Sequence, residues 1–149
     1  MSYFDQMVAG IVATLMMTVF TEIVFRLLKR KYHVIRILAN MIRFQRVTPL
    51  QDTPQPHMLI AGVMHFLIGV FFALMFRSFV TWVPDWSPSL QAMVFGIFIG
   101  LIAIGGWRLF FDLHPGPPSV SLPEYLGVIG LGHLVLSFTL AGIHQNIQS

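Results

Sequence analysis

Long runs of hydrophobic residues alternate with short polar breaks along this chain. A transmembrane helix needs about 20 consecutive, mainly apolar residues. Four runs meet that length, at about 4–28, 57–80, 90–111 and 122–143. Because the breaks between them are short, the pattern predicts an all-α integral membrane four-helix bundle that runs up, down, up and down.

Prolines and a capping pattern mark the predicted ends of these runs. Proline cannot continue a helix, so Pro56 before the second run and Pro88 before the third are expected boundaries. Ser121 followed three positions later by Glu124 predicts a capping box at the start of the fourth run.

A polar pattern at helical spacing occupies the connection between the first two runs, at about 30–46. His33, Arg36, Asn40 and Arg43 fall on one face there, and apolar residues cover much of the rest. This predicts a basic amphipathic helix that lies in the membrane interface against anionic lipid headgroups. A solvated basic loop is the alternative. The pattern leaves open whether the first span continues unbroken into this segment.

Composition agrees with a chain whose main solvent is lipid. Of its 149 residues, 56% are hydrophobic and 10% are charged, and the mean hydropathy is +0.76. A soluble domain carries roughly 25% charged residues. The sequence has no cysteine, which excludes disulfides, iron–sulfur clusters and thiolate metal sites. We expect a single membrane domain over 1–149.

Basic residues are concentrated on one side of the predicted bundle. Cytoplasmic loops carry an excess of Lys and Arg, so this side is expected to face the cytoplasm, with both termini on the outer side. Only Arg77 lies on the opposite side. The basic residues that we expect at the membrane surface are Lys29, Arg30, Lys31, Arg36, Arg43 and Arg46.

Two histidines lie inside the second and fourth runs in matched surroundings. Each follows a glycine by three positions and precedes small residues by four and eight positions. The two sets are Gly62, His65, Gly69 and Ala73, and Gly130, His133, Ser137 and Ala141. Ionisable side chains at membrane depth are costly and usually face the protein interior or a site. If the match is a true repeat, two helical hairpins are related by a near two-fold axis.

The first run carries a polar stripe of its own. Gly10, Thr14, Thr18 and Glu22 follow one another at intervals of four, so they share a helix face. The threonines are expected to donate hydrogen bonds to carbonyls of the preceding turn. A carboxyl group at the depth of Glu22 should be neutral, paired or ligating.

Four interpretations of these buried groups stay open. His65 and His133 are polar contacts that hold helices together, or they are the two axial ligands of a b-type haem. Alternatively, Glu22, His65 and His133 bind a metal ion. The fourth interpretation is a proton or ion path that leads inward from His57 and His114.

The loop after the third run contains Asp112 and His114, followed by Pro115. We expect a rigid turn in which Asp112 pairs with Arg108, and ligand contact is the alternative. No nucleotide-binding glycine loop or nucleophile motif is present. The basic residues lack interleaved aromatic platforms, so we expect no nucleic-acid partner.

Three short segments resemble small bacterial inner-membrane proteins of the YagU-like type. Residues 10–18 are similar to their opening helix, and Met64–His65–Phe66 and Gly132–His133–Leu134 are similar to their later helices. The resemblance implies a four-helix protein of the bacterial inner membrane and transfers no catalytic residues. The basic segment after the first run departs from that pattern.

Together these features predict a small non-catalytic subunit, accessory or structural, of a larger membrane protein complex. Its expected partners are anionic lipid and other membrane subunits or further copies of itself. The alternative is an electron-transfer subunit that carries haem b between His65 and His133 and works with quinone.

Overall fold

The computed structural model describes residues 2–43 and 55–148, and these residues form five helices and no strand. The helices are α1 (Tyr3–Leu27), α2 (Val34–Ile42), α3 (Gln55–Trp82), α4 (Pro88–Leu113) and α5 (Leu122–Gln148). The four long helices have lengths of about 38–42 Å at 1.5 Å per residue, more than the roughly 30 Å of a hydrocarbon core. All four are apolar enough to cross a membrane, so the all-α prediction of a multi-pass membrane protein is confirmed at this level.

Serine side chains begin two of the long helices. The Ser2 hydroxyl accepts from the backbone N–H of Asp5 at 3.1 Å, and the Asp5 carboxylate accepts from the Ser2 N–H at 2.8 Å. Ser87 is the N-cap of α4 and accepts from Leu90 N–H at 3.3 Å. Pro88 then occupies the first turn, where a missing N–H costs nothing. The third span therefore begins at 88 rather than 90.

The first span ends before the basic connection and does not continue into it. The N–H of Arg30 donates to Phe25 C=O at 2.8 Å, and the N–H of Lys29 donates to Arg26 C=O at 2.9 Å. These two bonds form a Schellman motif, which requires a left-handed residue just after the helix. Lys29 takes that conformation with φ = 56°.

The start of α5 differs from the predicted capping box. Ser121 N–H donates to the hydroxyl of Tyr32 at 2.8 Å. The carboxylate of Glu124 instead accepts two N–H groups of Arg30, each at 2.8 Å. The predicted bond from Ser121 N–H to Glu124 is therefore wrong, although the Ser121 side chain does bond to that carboxylate. Both groups fasten the α1–α2 connection to the end of α5, a long-range contact that local spacing does not reveal.

α1 runs antiparallel to α3 along a close seam. Near one end, Gln6 Nε2 donates to the carbonyl oxygen of Ala73 at 2.6 Å. Further along, Thr18 Oγ1 lies 2.9 Å from His65 Nε2. Residue numbers therefore increase along α1 in the direction in which they decrease along α3. Polar groups join the two helices at both points.

α5 packs against both α1 and α4, and it is antiparallel to each. Against α1, Tyr125 stacks on Phe25 with ring centroids 5.9 Å apart, while Gly132 faces Thr21. Against α4, Ser137 Oγ donates to Ala92 C=O at 2.7 Å. The four long helices thus follow one another around a ring in the order α3, α1, α5, α4.

α3 and α4, which would close this ring, touch mainly at the end near their connecting turn. There Phe95 packs against Phe76 and Phe79, with ring centroids 5.2 and 5.5 Å apart. At the opposite end the two helices do not meet. That space contains α2.

α2 is largely buried among the long helices. Leu38 and Ala39 form a hydrophobic cluster with Ala61 of α3, and Trp107 and Phe110 of α4 pack against it. The other side of α2 contributes Val34, Ile37 and Met41 to a cluster with Phe25, Phe111 and Tyr125. The described part of the predicted 30–46 segment thus contains a nine-residue helix packed between α3 and α4, and residues 44–46 lie outside the described residues.

This burial changes the polar face that the sequence predicted for the segment. Asn40 is only 1% exposed and donates to Arg36 C=O at 3.1 Å, so it does not lie on an outward surface. The remaining polar residues at and next to α2 are partly exposed, namely His33, Arg36 and Arg43.

Candidate functional site

His65 is positioned by α3 against the polar stripe of α1. Its side chain is buried, and its Nε2 lies 2.9 Å from Thr18 Oγ1. Thr18 donates its single hydroxyl proton to Thr14 C=O at 2.7 Å. Because that proton is committed, the bond to His65 requires that Nε2–H donate to Thr18. Neutral His65 therefore carries a lone pair on Nδ1.

The ring of His133 is hydrogen-bonded to the backbone of its own helix, α5. Its Nδ1 lies 2.8 Å from Ile129 C=O, which can only accept, so Nδ1 carries the proton. The neutral ring then has its lone pair on Nε2. Phe72 of α3 meets the ring edge-on at 5.7 Å, so the imidazole is fixed by one hydrogen bond and one aromatic contact.

The two histidines line one cavity of about 300 Å³ near the middle of the molecule. Aromatic rings of Phe72, Trp107 and Phe110 form part of its wall, and α2 borders it through Leu38. The cavity therefore lies where α2 separates α3 from α4. The prediction that His65 and His133 come together is supported by this shared lining.

Glu22 lies one turn beyond Thr18 on α1 and borders a different cavity, of about 240 Å³. Its carboxylate is paired, with Arg26 Nε at 2.8 Å and His33 Nδ1 at 2.7 Å. Within residues 2–43 and 55–148, no group of three His, Cys, Asp or Glu side chains could hold a metal ion. The structure thus separates Glu22 from His65 and His133.

The geometry also gives little support to a haem between the histidines. A haem would need one nitrogen from each ring, and because Nε2 of His65 is bonded to Thr18, only its Nδ1 is left to act as a ligand. Among the residues that the structure describes, no lysine or arginine lines the cavity to meet the propionates. The haem interpretation stays a prediction, and a Soret band lost on His65→Ala would support it.

Residues of the matched sets pack against different helices. Gly69 faces the Thr14 side chain of α1, whereas Ser137 bonds to α4. On the α4 side, a Cβ at Gly96 would lie 3.1 Å from Ser137 Cβ. Equivalent positions therefore form the α1–α3 seam and the α4–α5 seam. Gly62 has open space around it and contributes to neither.

The predicted surface cations lie around the α1–α2 connection and at the end of α2. Lys29, Arg30 and Lys31 are exposed, and Arg36 and Arg43 are partly so. Arg46 lies outside the described residues. The bidentate pair with Glu124 raises the pKa of the Arg30 guanidinium above its ordinary value.

Asp112 pairs with Arg108 as expected, but it lies in the last turn of α4, and the loop begins only at His114. Arg108 Nε donates to the Asp112 carboxylate at 3.0 Å, and His114 Nδ1 accepts from Gly116 N–H at 3.1 Å. Neither His57 nor His114 lines the cavity of His65 and His133. The predicted proton or ion path from His57 and His114 therefore has no link to this cavity among the described contacts.

Gln6 and Met17 are interior residues that were not predicted from the sequence. Gln6 is 1% exposed and bonds to α3, and Met17 lines the histidine cavity. Gln6 continues the interval of four that runs through Gly10, Thr14 and Thr18, so that spacing could have revealed it. Met17 carries no such signal, because methionine is an ordinary core residue.

Comparisons with protein-family models, curated proteins and solved structures found no match to this chain. The resemblance to YagU-like proteins accordingly stays a prediction.

Proposed function

We propose that the chain is a non-catalytic subunit that packs beside other proteins of a bacterial inner membrane. The observation that carries this proposal is an open apolar groove of about 680 Å³ between α3 and α4. The groove lies on the surface of α3 and α4 at the end opposite α2, where Phe79 and Phe95, which contact each other, form part of its wall. A transmembrane helix of another subunit is the occupant that we propose.

The lining of the groove suits a helix in lipid. Its wall includes Phe71 and Leu74 of α3 and Val94 and Phe98 of α4, and Phe71 and Phe98 are 57% and 52% exposed. Association within a bilayer depends on close packing, because lipid is as apolar as the side chains. A groove along two neighbouring helices offers more packing surface than a single convex helix.

The interior polar groups support the same interpretation. Gln6 and Thr18 on α1 join α3, and Ser137 on α5 joins α4. Hydrogen bonds of this kind hold helices together in lipid at about 1 kcal/mol each. They account for these buried polar groups as packing contacts.

Cross-linking in native membranes tests the subunit proposal. The sequence has no cysteine, so one introduced cysteine is a unique reactive group. Phe98→Cys lies in the groove, and Leu15→Cys on α1 is an equally exposed control at 52%. We expect a discrete adduct, identified by mass spectrometry, from Phe98→Cys alone.

Co-purification completes this test. The partner identified by cross-linking should co-purify with the unmodified chain. It should not co-purify with the Phe98→Ser variant, and it should still co-purify with the Leu15→Ser variant. If the adduct contains two copies of this chain, the groove binds a second copy and not a different subunit. Equal cross-linking from both positions, or none from Phe98, would rule out the groove as a docking surface.

We further propose that the four long helices cross the membrane up, down, up and down. The basic α1–α2 connection faces the cytoplasm and both termini face outward, as the positive-inside rule favours. On intact spheroplasts, an impermeant maleimide should label Asp85→Cys in the α3–α4 turn and leave Lys31→Cys unlabelled. Labelling of Lys31→Cys alone would reverse the orientation.

A further inference from the structure

We propose that the cavity between His65 and His133 binds the headgroup of a lipid-soluble quinol, a ring that carries two hydroxyl donors. This inference goes beyond the packing role, because each imidazole uses only one nitrogen for packing. It depends on the cavity alone and would stand even if no partner subunit occupied the α3–α4 groove.

The hydrogen-bond roles of the two rings select the ligand. Nε2 of His65 donates to Thr18, and Nδ1 of His133 donates to Ile129 C=O. Each neutral ring is left with one acceptor nitrogen, and among the described residues neither of these nitrogens has a hydrogen-bond partner. Two acceptors on one cavity favour a molecule with two donors. A quinol supplies two O–H groups, whereas a quinone offers only acceptors.

The remaining lining suits a flat apolar ring. Phe72, Trp107 and Phe110 provide aromatic faces, and the side chains of Met17 and Leu136 are apolar. A volume of about 300 Å³ is at the small end of ligand pockets, which span roughly 300–1,000 Å³. A single substituted ring is therefore a better match than a large cofactor.

The cavity has an opening toward lipid between α3 and α4. Met64 and Ile68 on the α3 side of its lining are 40% and 46% exposed. On the α4 side, Gly106 is exposed, and a Cβ there would meet no atom within 4 Å. These residues lie within helices that are long and apolar enough to cross a membrane. A quinol dissolved in the bilayer can therefore enter sideways, with its isoprenoid tail left among the lipids.

Binding of small probes to the full chain in nanodiscs tests the proposal. Trimethylhydroquinone, trimethylquinone and the dimethyl ether of the hydroquinone are titrated without oxygen by calorimetry, against empty nanodiscs. We expect the hydroquinone to bind at least about tenfold more tightly than either donor-free probe, since two hydrogen bonds are at stake. His65→Leu and His133→Leu should each weaken hydroquinone binding by about three- to tenfold.

A pair of adjacent glycines provides a matched control that does not alter the histidines. A Cβ added at either Gly105 or Gly106 would meet open space, but only Gly106 lines the cavity. Gly106→Leu should fill the opening and reduce hydroquinone affinity by about tenfold or more, and Gly105→Leu should leave the affinity unchanged.

Three results would overturn the proposal. Equal affinity for hydroquinone and quinone would contradict the assigned acceptors. Equal effects of Gly105→Leu and Gly106→Leu would place any binding outside the cavity. Hydroquinone uptake no greater than that of empty nanodiscs would show that the cavity does not hold this class of ligand.

Discussion

At the level of single residues, Gly69 is one of two glycines, with Gly10, that let α1 approach α3 closely. A Cβ at Gly69 would coincide with the Thr14 side chain, so this position admits no larger residue without movement. Thr14 is itself fixed, because its hydroxyl donates to Gly10 C=O at 2.7 Å. The absence of a side chain at Gly69 therefore allows the contact between Thr18 and His65 one turn away.

Gly69→Ala should destabilise the protein by about 1–3 kcal/mol, because overpacking forces a side chain or a helix to shift. Gly62→Ala, on the same helix with open space around it, serves as the matched control and should change stability little. Unfolding in mixed detergent measures both. Recovery of stability in Gly69→Ala/Thr14→Ala would confirm the cause, and equal effects of the two glycine substitutions would contradict it.

Residue patterns predicted contacts within one turn better than contacts between distant segments. The threonine bonds to preceding carbonyls and the Arg108–Asp112 pair follow from local spacing. The pairs Glu22–His33 and Glu124–Arg30 do not follow from local spacing, because His33 and Arg30 reach the two carboxylates only through the turn at Lys29. A lysine in a left-handed conformation gives no sequence signal of the kind that glycine gives.

At the level of elements, α2 shows what periodicity can and cannot predict. The spacing of polar residues indicated a helix, and a helix is present at Val34–Ile42. The same spacing suggested one apolar face against lipid, whereas Ile37, Ala39 and Met41 are each fully buried by protein. Hydrophobic periodicity reveals which side of a helix avoids water. It does not reveal whether that side is buried against lipid or against protein.

Ile37→Ala should cost about 2–5 kcal/mol, as truncation of a fully buried isoleucine does in other cores. Ile35 lies on the same helix and is only partly buried, so Ile35→Ala should cost about half as much or less. Chemical unfolding in detergent compares the two variants. A helix that rested on a membrane surface would show small and similar effects for both in lipid-free micelles.

At the level of the whole molecule, two hairpins are joined through α5. The α1–α3 and α4–α5 seams use small residues at equivalent positions of the repeat around His65 and His133. The joining contacts are unequal, because α1 packs closely on α5 while α3 and α4 are held apart by α2. The repeat predicted two related hairpins but not which faces pack together, and the asymmetry depends on α2, for which the second hairpin has no counterpart.

Two halves of the chain, separated in the α3–α4 turn at Asp85, should therefore co-purify when they are expressed together. Gly132 packs against Thr21 and Met17 of α1, so Gly132→Leu should abolish recovery of the complex. Gly127→Leu is the control, since a Cβ there meets no atom within 4 Å. Co-purification that survives Gly132→Leu would mean that the halves are joined elsewhere.

The position of α5 in the ring also governs the order of assembly during synthesis. α1, α2 and α3 can pack together as soon as they leave the ribosome, because their contacts lie within the first 82 residues. α4 emerges next and has few contacts with α3, so it must wait for α5, the last of the five helices to be made. During that interval α4 is held by α2 and by the turn end of α3 but lacks its largest partner, and a ribosome that stalls there leaves a chain open to capture by membrane quality-control proteases.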